Sequence, residues 1–166
     1  MRINRLDLHR YGKFTDCSLT LPAAQCDFHM LVGANEAGKS TIRAAILDLL
    51  FGIEARSTYD FLHPRSELRL AGSITHAADS LDFQRLRKSS KSLLDAAGQP
   101  LGDGALLPFL GNSERSFFDQ MFALDHLRLI RGGNEILNAS NDIGRILFQS
   151  ATGIGSLGAV RDQLEA

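Results

Sequence analysis

Apolar and polar residues alternate at the start of the chain, with Leu6 and Leu8 in one run, Cys17, Leu19 and Leu21 in a second, and Tyr11-Gly12 between them. A period of two interrupted by a turn predicts paired β-strands, read here as an edge hairpin that ends at Pro22. Phe28 to Val32 is different, a nearly unbroken apolar run that stops at Gly33. Such a run predicts a strand buried on both faces of a sheet. Ile42, Ala45, Ile46, Leu49 and Leu50 then recur at helical spacing, and Gly52 is placed to supply the left-handed residue that ends a helix. The predicted local order is strand, glycine loop, helix.

From Leu68 the period returns to two, through Leu68, Leu70 and Ile74 and then Leu81 and Phe83, with turn-forming Ala97-Gly98-Gln99-Pro100 beyond. This pattern predicts a small antiparallel meander. Phe117, Phe118, Met121 and Phe122 make i, i+4 pairs behind a candidate cap at Asn112 or Ser113. Ile143, Ile146 and Leu147 form a further helical stripe, and Leu157, Val160 and Leu164 begin another that is still in register at Ala166. A helix cut in mid-pattern suggests a longer natural chain. The segments Gly98 to Gly104 and Gly132-Gly133 read as loops, and no internal repeat stands out.

Composition narrows the class. The 166 residues, 44% hydrophobic and 22% charged, suit one globular domain with a real core. A net charge of −1 excludes a uniformly positive surface, so any contact with nucleic acid is expected to be a local patch. Cys17 and Cys26 signal neither a zinc site nor a disulfide framework, and a reducing cytoplasm is the simplest setting. No apolar segment reaches membrane-spanning length. The expected protein is soluble and has no membrane partner.

Gly33-Ala34-Asn35-Glu36-Ala37-Gly38-Lys39-Ser40 fits G-x-x-x-x-G-K-[ST] between an expected strand and an expected helix. Glycine at 33 and 38 lets the backbone curl so that successive amides point inward, and the helix N-terminus adds partial positive charge for a polyphosphate. Lys39 is placed to reach the β- and γ-phosphates, the Ser40 hydroxyl to ligate Mg²⁺, and Thr41 to add a phosphate contact. ATP with Mg²⁺ is the expected cofactor pair, although no residue pattern distinguishes ATP from GTP.

Three segments together resemble the N-terminal lobe of SMC, RecF and SbcC heads: Met1-Arg2-Ile3-Asn4-Arg5-Leu6, Tyr11-Gly12-Lys13-Phe14, and Gly33 through Thr41. The Asn-Glu-Ala-Gly-Lys-Ser-Thr form is similar to the bacterial YhaN group. Leu50-Phe51-Gly52-Ile53, Arg56-Ser57-Thr58-Tyr59-Asp60-Phe61 and Phe122-Ala123-Leu124-Asp125-His126 extend the resemblance over most of the chain. It implies an α/β P-loop NTPase of the ABC and SMC-head kind, with a mixed sheet, an antiparallel β-meander and the start of a coiled-coil helix. Residues 1–156 would form the ATPase lobe and residues 157–166 the beginning of the arm. It also implies partners: the protein's own C-terminal lobe, a second head in an ATP-dependent homodimer, double-stranded DNA, and an SbcD-like nuclease. The work of such machines is DNA repair or chromosome maintenance in the bacterial cytoplasm, near the nucleoid.

By position, Asp125-His126 stands where relatives carry the Q-loop glutamine, so His126 is a candidate for orienting water or for ligating through a ring nitrogen, with Asp125 the candidate catalytic carboxylate beside it. A packed or surface histidine is the alternative. Gln120 is a poorer substitute on the Phe117 to Phe122 helix. Lys13 lies near where relatives place a basic residue close to the phosphates, against the alternative of a solvated turn lysine. His63, before Pro64 and Arg65, is a further candidate for the site edge.

Met121-Phe122-Ala123-Leu124-Asp125 imitates a Walker B strand and Leu129-Ile130-Arg131-Gly132-Gly133 an ABC signature. Their order is reversed relative to ABC-type ATPases, and no glutamate follows Asp125 to act as base. Both are therefore read as decoys, and turnover by this chain alone is expected to be very slow or absent. Arg85, Arg87, Lys88 and Lys91 form a basic stretch that suits either a DNA backbone or a solvated face. Two other functions fit the P-loop: a self-contained kinase, disfavoured by the hairpin that precedes the loop, and a nonenzymatic nucleotide sensor.

Overall fold

In the computed structural model, which describes residues 1–25, 27–111, 113–122 and 129–130, the first alternating runs form β1 (Arg2–Tyr11) and β2 (Phe14–Thr20). The glycine loop leads into α1 (Lys39–Phe51), which ends at Gly52 with φ +101°. The second alternating region forms β3 (Arg69–His76), β4 (Asp79–Leu86) and β5 (Leu93–Asp95), the expected meander. A short α2 (Leu107–Leu110) and then α3 (Arg115–Phe122) follow. The chain divides into two units, Met1–Asp119 and Gln120–Ala166. In the second, residues 120–122 and 129–130 are described and are helical.

The sheet order is β2-β1-β3-β4-β5, and every neighbouring pair is antiparallel. The expected mixed sheet is thus corrected to an antiparallel one among the described residues. The expected hairpin does form at one edge of the sheet, with β2 outermost and β1 paired on both sides, while β5 is the opposite edge. Register explains the core. Leu6 faces Gly72 and Gly72 faces Phe83 in one row, while Leu8, Leu70, Arg85 and Leu93 align in the next. These rows present Leu6, Leu8, Leu70 and Phe83 to Ala45, Leu49 and Leu50 of α1. Leu49 reaches close to β3 because Gly72 has no side chain: its Cδ2 stands 2.6 Å from where a Cβ would lie.

The largest departure is Phe28 to Val32. No strand forms there, and Phe28 and Val32 are 82% and 84% exposed. The reason is lateral pairing. Leu21 still donates its amide to the Asn4 carbonyl at 2.8 Å, but Pro22 has no N–H to continue the ladder. The five strands pair among themselves in an order that does not include this run, which has no strand beside it among the described residues. Apolar character alone does not make a strand without a partner to hydrogen-bond.

Arg85 corrects the reading of the basic stretch. It continues the inward-facing set Leu81, Phe83, Arg85 and is only 8% exposed. Its guanidinium donates to the Leu49 carbonyl at 3.1 Å and the Leu50 carbonyl at 3.0 Å, with Ser92 Oγ at 3.3 Å. A cation on the last carbonyls of α1 satisfies acceptors that have no intrahelical donor and complements the helix dipole. Arg87 likewise donates to the Ala55 carbonyl at 3.0 Å, whereas Lys88 and Lys91 are exposed. Arg85→Met keeps the aliphatic stem but removes the donors, and is expected to lower the unfolding free energy by about 2 kcal/mol. Urea denaturation measures this as a lower midpoint at unchanged slope. An unchanged midpoint would show that the end of α1 does not depend on Arg85.

The expected helix cap is displaced. Ser113 donates its amide to the Leu110 carbonyl at 3.3 Å, closing the preceding turn, while the Glu114 carbonyl accepts from Phe118 at 2.9 Å to start α3. Asn112, the other candidate cap, lies outside the described residues.

Candidate functional site

Local geometry at the glycine loop follows from its residues. Gly38 precedes α1 with φ +99°, a conformation that side chains disfavour, and Phe14 Cζ lies 2.5 Å from where a Cβ would be. Both the dihedral and the packing therefore require glycine at 38. Glu36 also has positive φ, at 61°, so one non-glycine residue of the loop holds a left-handed turn. No side chain caps α1 and its first turn has no acid. The amide end of the helix is thus available to an anion.

Lys39 folds back over the loop and donates to the Gly33 carbonyl at 2.7 Å and the Ala34 carbonyl at 2.8 Å. Lys13 reaches in from the β1–β2 turn and donates to the Glu36 carbonyl at 2.7 Å. Two ammonium groups therefore sit on loop carbonyls at one side of a pocket of about 430 Å³. Its lining comprises Lys13, Asn35, Glu36, Gly38, Lys39, Ser40, Thr41 and Phe61. The turn is locked against α1 at Gly12, where a Cβ would lie 2.6 Å from Thr41 Cγ2.

A second loop closes the pocket edge. Gly12 donates its amide to the Tyr59 carbonyl at 2.8 Å, and the Tyr59 ring stacks on Tyr11 with centroids 5.0 Å apart. Arg65 donates to Asp60 Oδ2 at 2.7 Å. His63 Nε2 donates to the Phe14 carbonyl at 2.9 Å and lies 3.1 Å from Thr15 Oγ1, which fixes the proton on Nε2. His63 therefore tethers the loop to the turn and does not line the pocket, contrary to the expectation that it would edge the site.

Of the sequence-derived candidates, Lys13, Asn35, Glu36, Gly38, Lys39, Ser40 and Thr41 converge on the pocket, and Gly33 contributes a carbonyl to Lys39. Ala37 closes the loop by donating to the Ala34 carbonyl at 3.2 Å. Asp125 and His126 lie outside the described residues. Met121 and Phe122 are helical and exposed, unlike a Walker B strand, and Gln120 is exposed on the same helix. No sequence pattern singles out Phe61, which stands between Asp60 and Leu62 in the loop after α1. Behind the pocket, α1 is anchored by Asp48, 3% exposed, which accepts from Tyr11 Oη at 2.6 Å and Arg115 at 2.6 Å.

The chemistry available is phosphate recognition. Two lysines, helix amides and the Ser40 hydroxyl form a cradle of the kind that holds a polyphosphate and its magnesium. Glu36 is, among the described residues, the one carboxylate in the lining. Among the described residues no group of three His, Cys, Asp or Glu side chains is placed to hold a metal by itself. Ser40 is the side chain, among the described residues, placed to hold such a cation. Among the described residues no helix is long and apolar enough to cross a membrane.

No individual curated protein sequence matches the chain. A family model described as AAA domain matches residues 1–166, its whole length. With the P-loop cradle in place at Gly33 to Thr41, the chain belongs to the AAA domain family of nucleotide-binding ATPases.

Proposed function

We propose that the chain is the P-loop lobe of an SMC- or SbcC-like ATPase head of the YhaN type, and that its site is completed by a second lobe. The observation that carries this reading is the exposed apolar run Phe28 to Val32, which leads directly into the phosphate loop without a strand partner among the described residues. A contiguous apolar segment beside a binding loop marks a surface that other protein covers. Mg·ATP would be held by Lys39, Lys13, Ser40 and the amides at the start of α1. The nucleotide's magnesium would neutralise phosphate charge and supply the electrophilic assistance of the reaction. The chain's own residues bind and orient the phosphates, while Glu36, the one carboxylate lining the pocket among the described residues, belongs to the binding loop itself.

ATP-dependent pairing with a second head, a coiled-coil arm from residue 157, work on double-stranded DNA and an SbcD-like nuclease partner are part of the same proposal. Lys88 and Lys91 are exposed basic groups beside the meander that could meet a phosphate backbone. Turnover tests the half-site reading. The 166-residue chain is expected to bind Mg·ATP yet hydrolyse it at less than about 10⁻² s⁻¹, well under the low end of ordinary enzymes near 1 s⁻¹. Single-turnover assays with labelled ATP measure this. Lys39-dependent turnover above about 1 s⁻¹ would mean that the chain carries a complete catalytic site.

A further inference from the structure

We propose that Phe61 is the platform on which the purine base of the bound nucleotide stacks. This rests on the nucleotide-binding reading of the pocket and adds the part of the ligand that a P-loop does not address. Lys39 and the helix amides account for phosphates, and none of them touches a base. Phe61 lines the same pocket, yet its side chain is 67% exposed. Its Cζ lies 3.6 Å from where a Cβ on Gly12 would be, and that same point is 2.6 Å from Thr41 Cγ2. The ring therefore stands near Gly12 and Thr41, within the pocket lining.

An exposed aromatic ring on a loose loop would signify little, but this loop is held on both sides of Phe61. Tyr59 is fixed by the Gly12 amide and the Tyr11 ring, Asp60 by Arg65, and His63 by the Phe14 carbonyl. Tyr59 is partly buried against the core, while Phe61, two residues later, is exposed and lines the pocket. A tethered loop that presents an apolar ring to solvent needs less ordering to receive a flat partner than a free one would. The base is such a partner. Stacking is tolerant of base identity because every purine has a π-face, so ATP and GTP should share the contact.

The test compares ligands with and without a base, using the chain and calorimetry in the presence of Mg²⁺. Phe61→Ala is expected to weaken ATP about tenfold, the low half of the range for one stacked base, while inorganic tripolyphosphate binds as to the wild type. The chain has no tryptophan, so Phe61→Trp introduces a sole reporter. It should retain ATP affinity and be quenched by ATP but not by tripolyphosphate. ATP binding unchanged in Phe61→Ala would overturn the proposal. Equal losses of ATP and tripolyphosphate would also overturn it, because Phe61 would then be supporting the loop. Failure of the nucleotide reading looks different: wild-type protein would bind neither ligand, or would bind both irrespective of Lys39.

Discussion

Lys39→Ala is expected to lose at least about 100-fold in Mg·ATP affinity while the protein stays as stable as the wild type. In the structure the ammonium bridges two neutral carbonyls, Gly33 at 2.7 Å and Ala34 at 2.8 Å. Phosphate oxygens offer the same donors anionic partners, and hydrogen bonds between charged groups contribute roughly twice as much as neutral ones. Two such bonds at about 1.5 to 3 kcal/mol each place the loss at 3 kcal/mol or more, which is the hundredfold change. Stability is unaffected because Gly33 and Ala34 are exposed, so their carbonyls turn to water when the lysine is gone. Calorimetric titration measures the affinity, and thermal melting without nucleotide measures the fold. Addition of ATP should raise the melting midpoint of the wild type but not of the variant. Wild-type affinity in Lys39→Ala would place the phosphates somewhere other than the loop.

What was legible in the residues was what depends on neighbours in the chain. The P-loop, α1 with its Gly52 terminator, and the β3–β4–β5 meander all follow from spacing within a few residues, and all are present. Phe28 to Val32 was misread because an apolar run reports that a segment is destined for burial but says nothing of which strand will lie beside it. Arg85 shows the converse error. Its charge suggested a surface patch, whereas its place in the alternation after Leu81 and Phe83 pointed inward, and the end of α1 supplied acceptors for it. Phe61 belongs to neither pattern. Its position depends on tertiary bonds from Gly12, Phe14 and Arg65, which no local period encodes.

Arg115→Met should lower the stability of the chain by about 3 kcal/mol at pH 7, because it breaks a pair whose acid is buried. Asp48 is almost fully enclosed at the C-terminal end of α1, and Arg115 binds it at 2.6 Å while also donating to the Gly52 carbonyl at 2.8 Å. Burial raises the Asp48 carboxyl above its ordinary range, and hydrogen bonds from Tyr11 and Arg115, with the arginine's charge, pull it back. Burial beside Asp48 likewise raises the Tyr11 hydroxyl, which keeps it a donor. Glu54, whose side chain is mostly exposed, lies 3.2 Å from Arg115 and adds a second negative charge. The native state therefore holds the Asp48 proton more tightly than the unfolded chain does. Its contribution to stability is full below the ordinary aspartate value and declines as pH rises through the folded one. Removing Arg115 takes away a downward pull, so the folded value climbs and the decline extends to higher pH. The deficit in Arg115→Met should accordingly be small near pH 4 and grow towards pH 7, measured by urea unfolding across that interval. A deficit that is the same at every pH would assign the effect of Arg115 to the Gly52 carbonyl instead. Because the clamp grips the end of α1 opposite the phosphate cradle, folded Arg115→Met should bind Mg·ATP as tightly as the wild type, which separates anchoring of the helix from recognition at its other end.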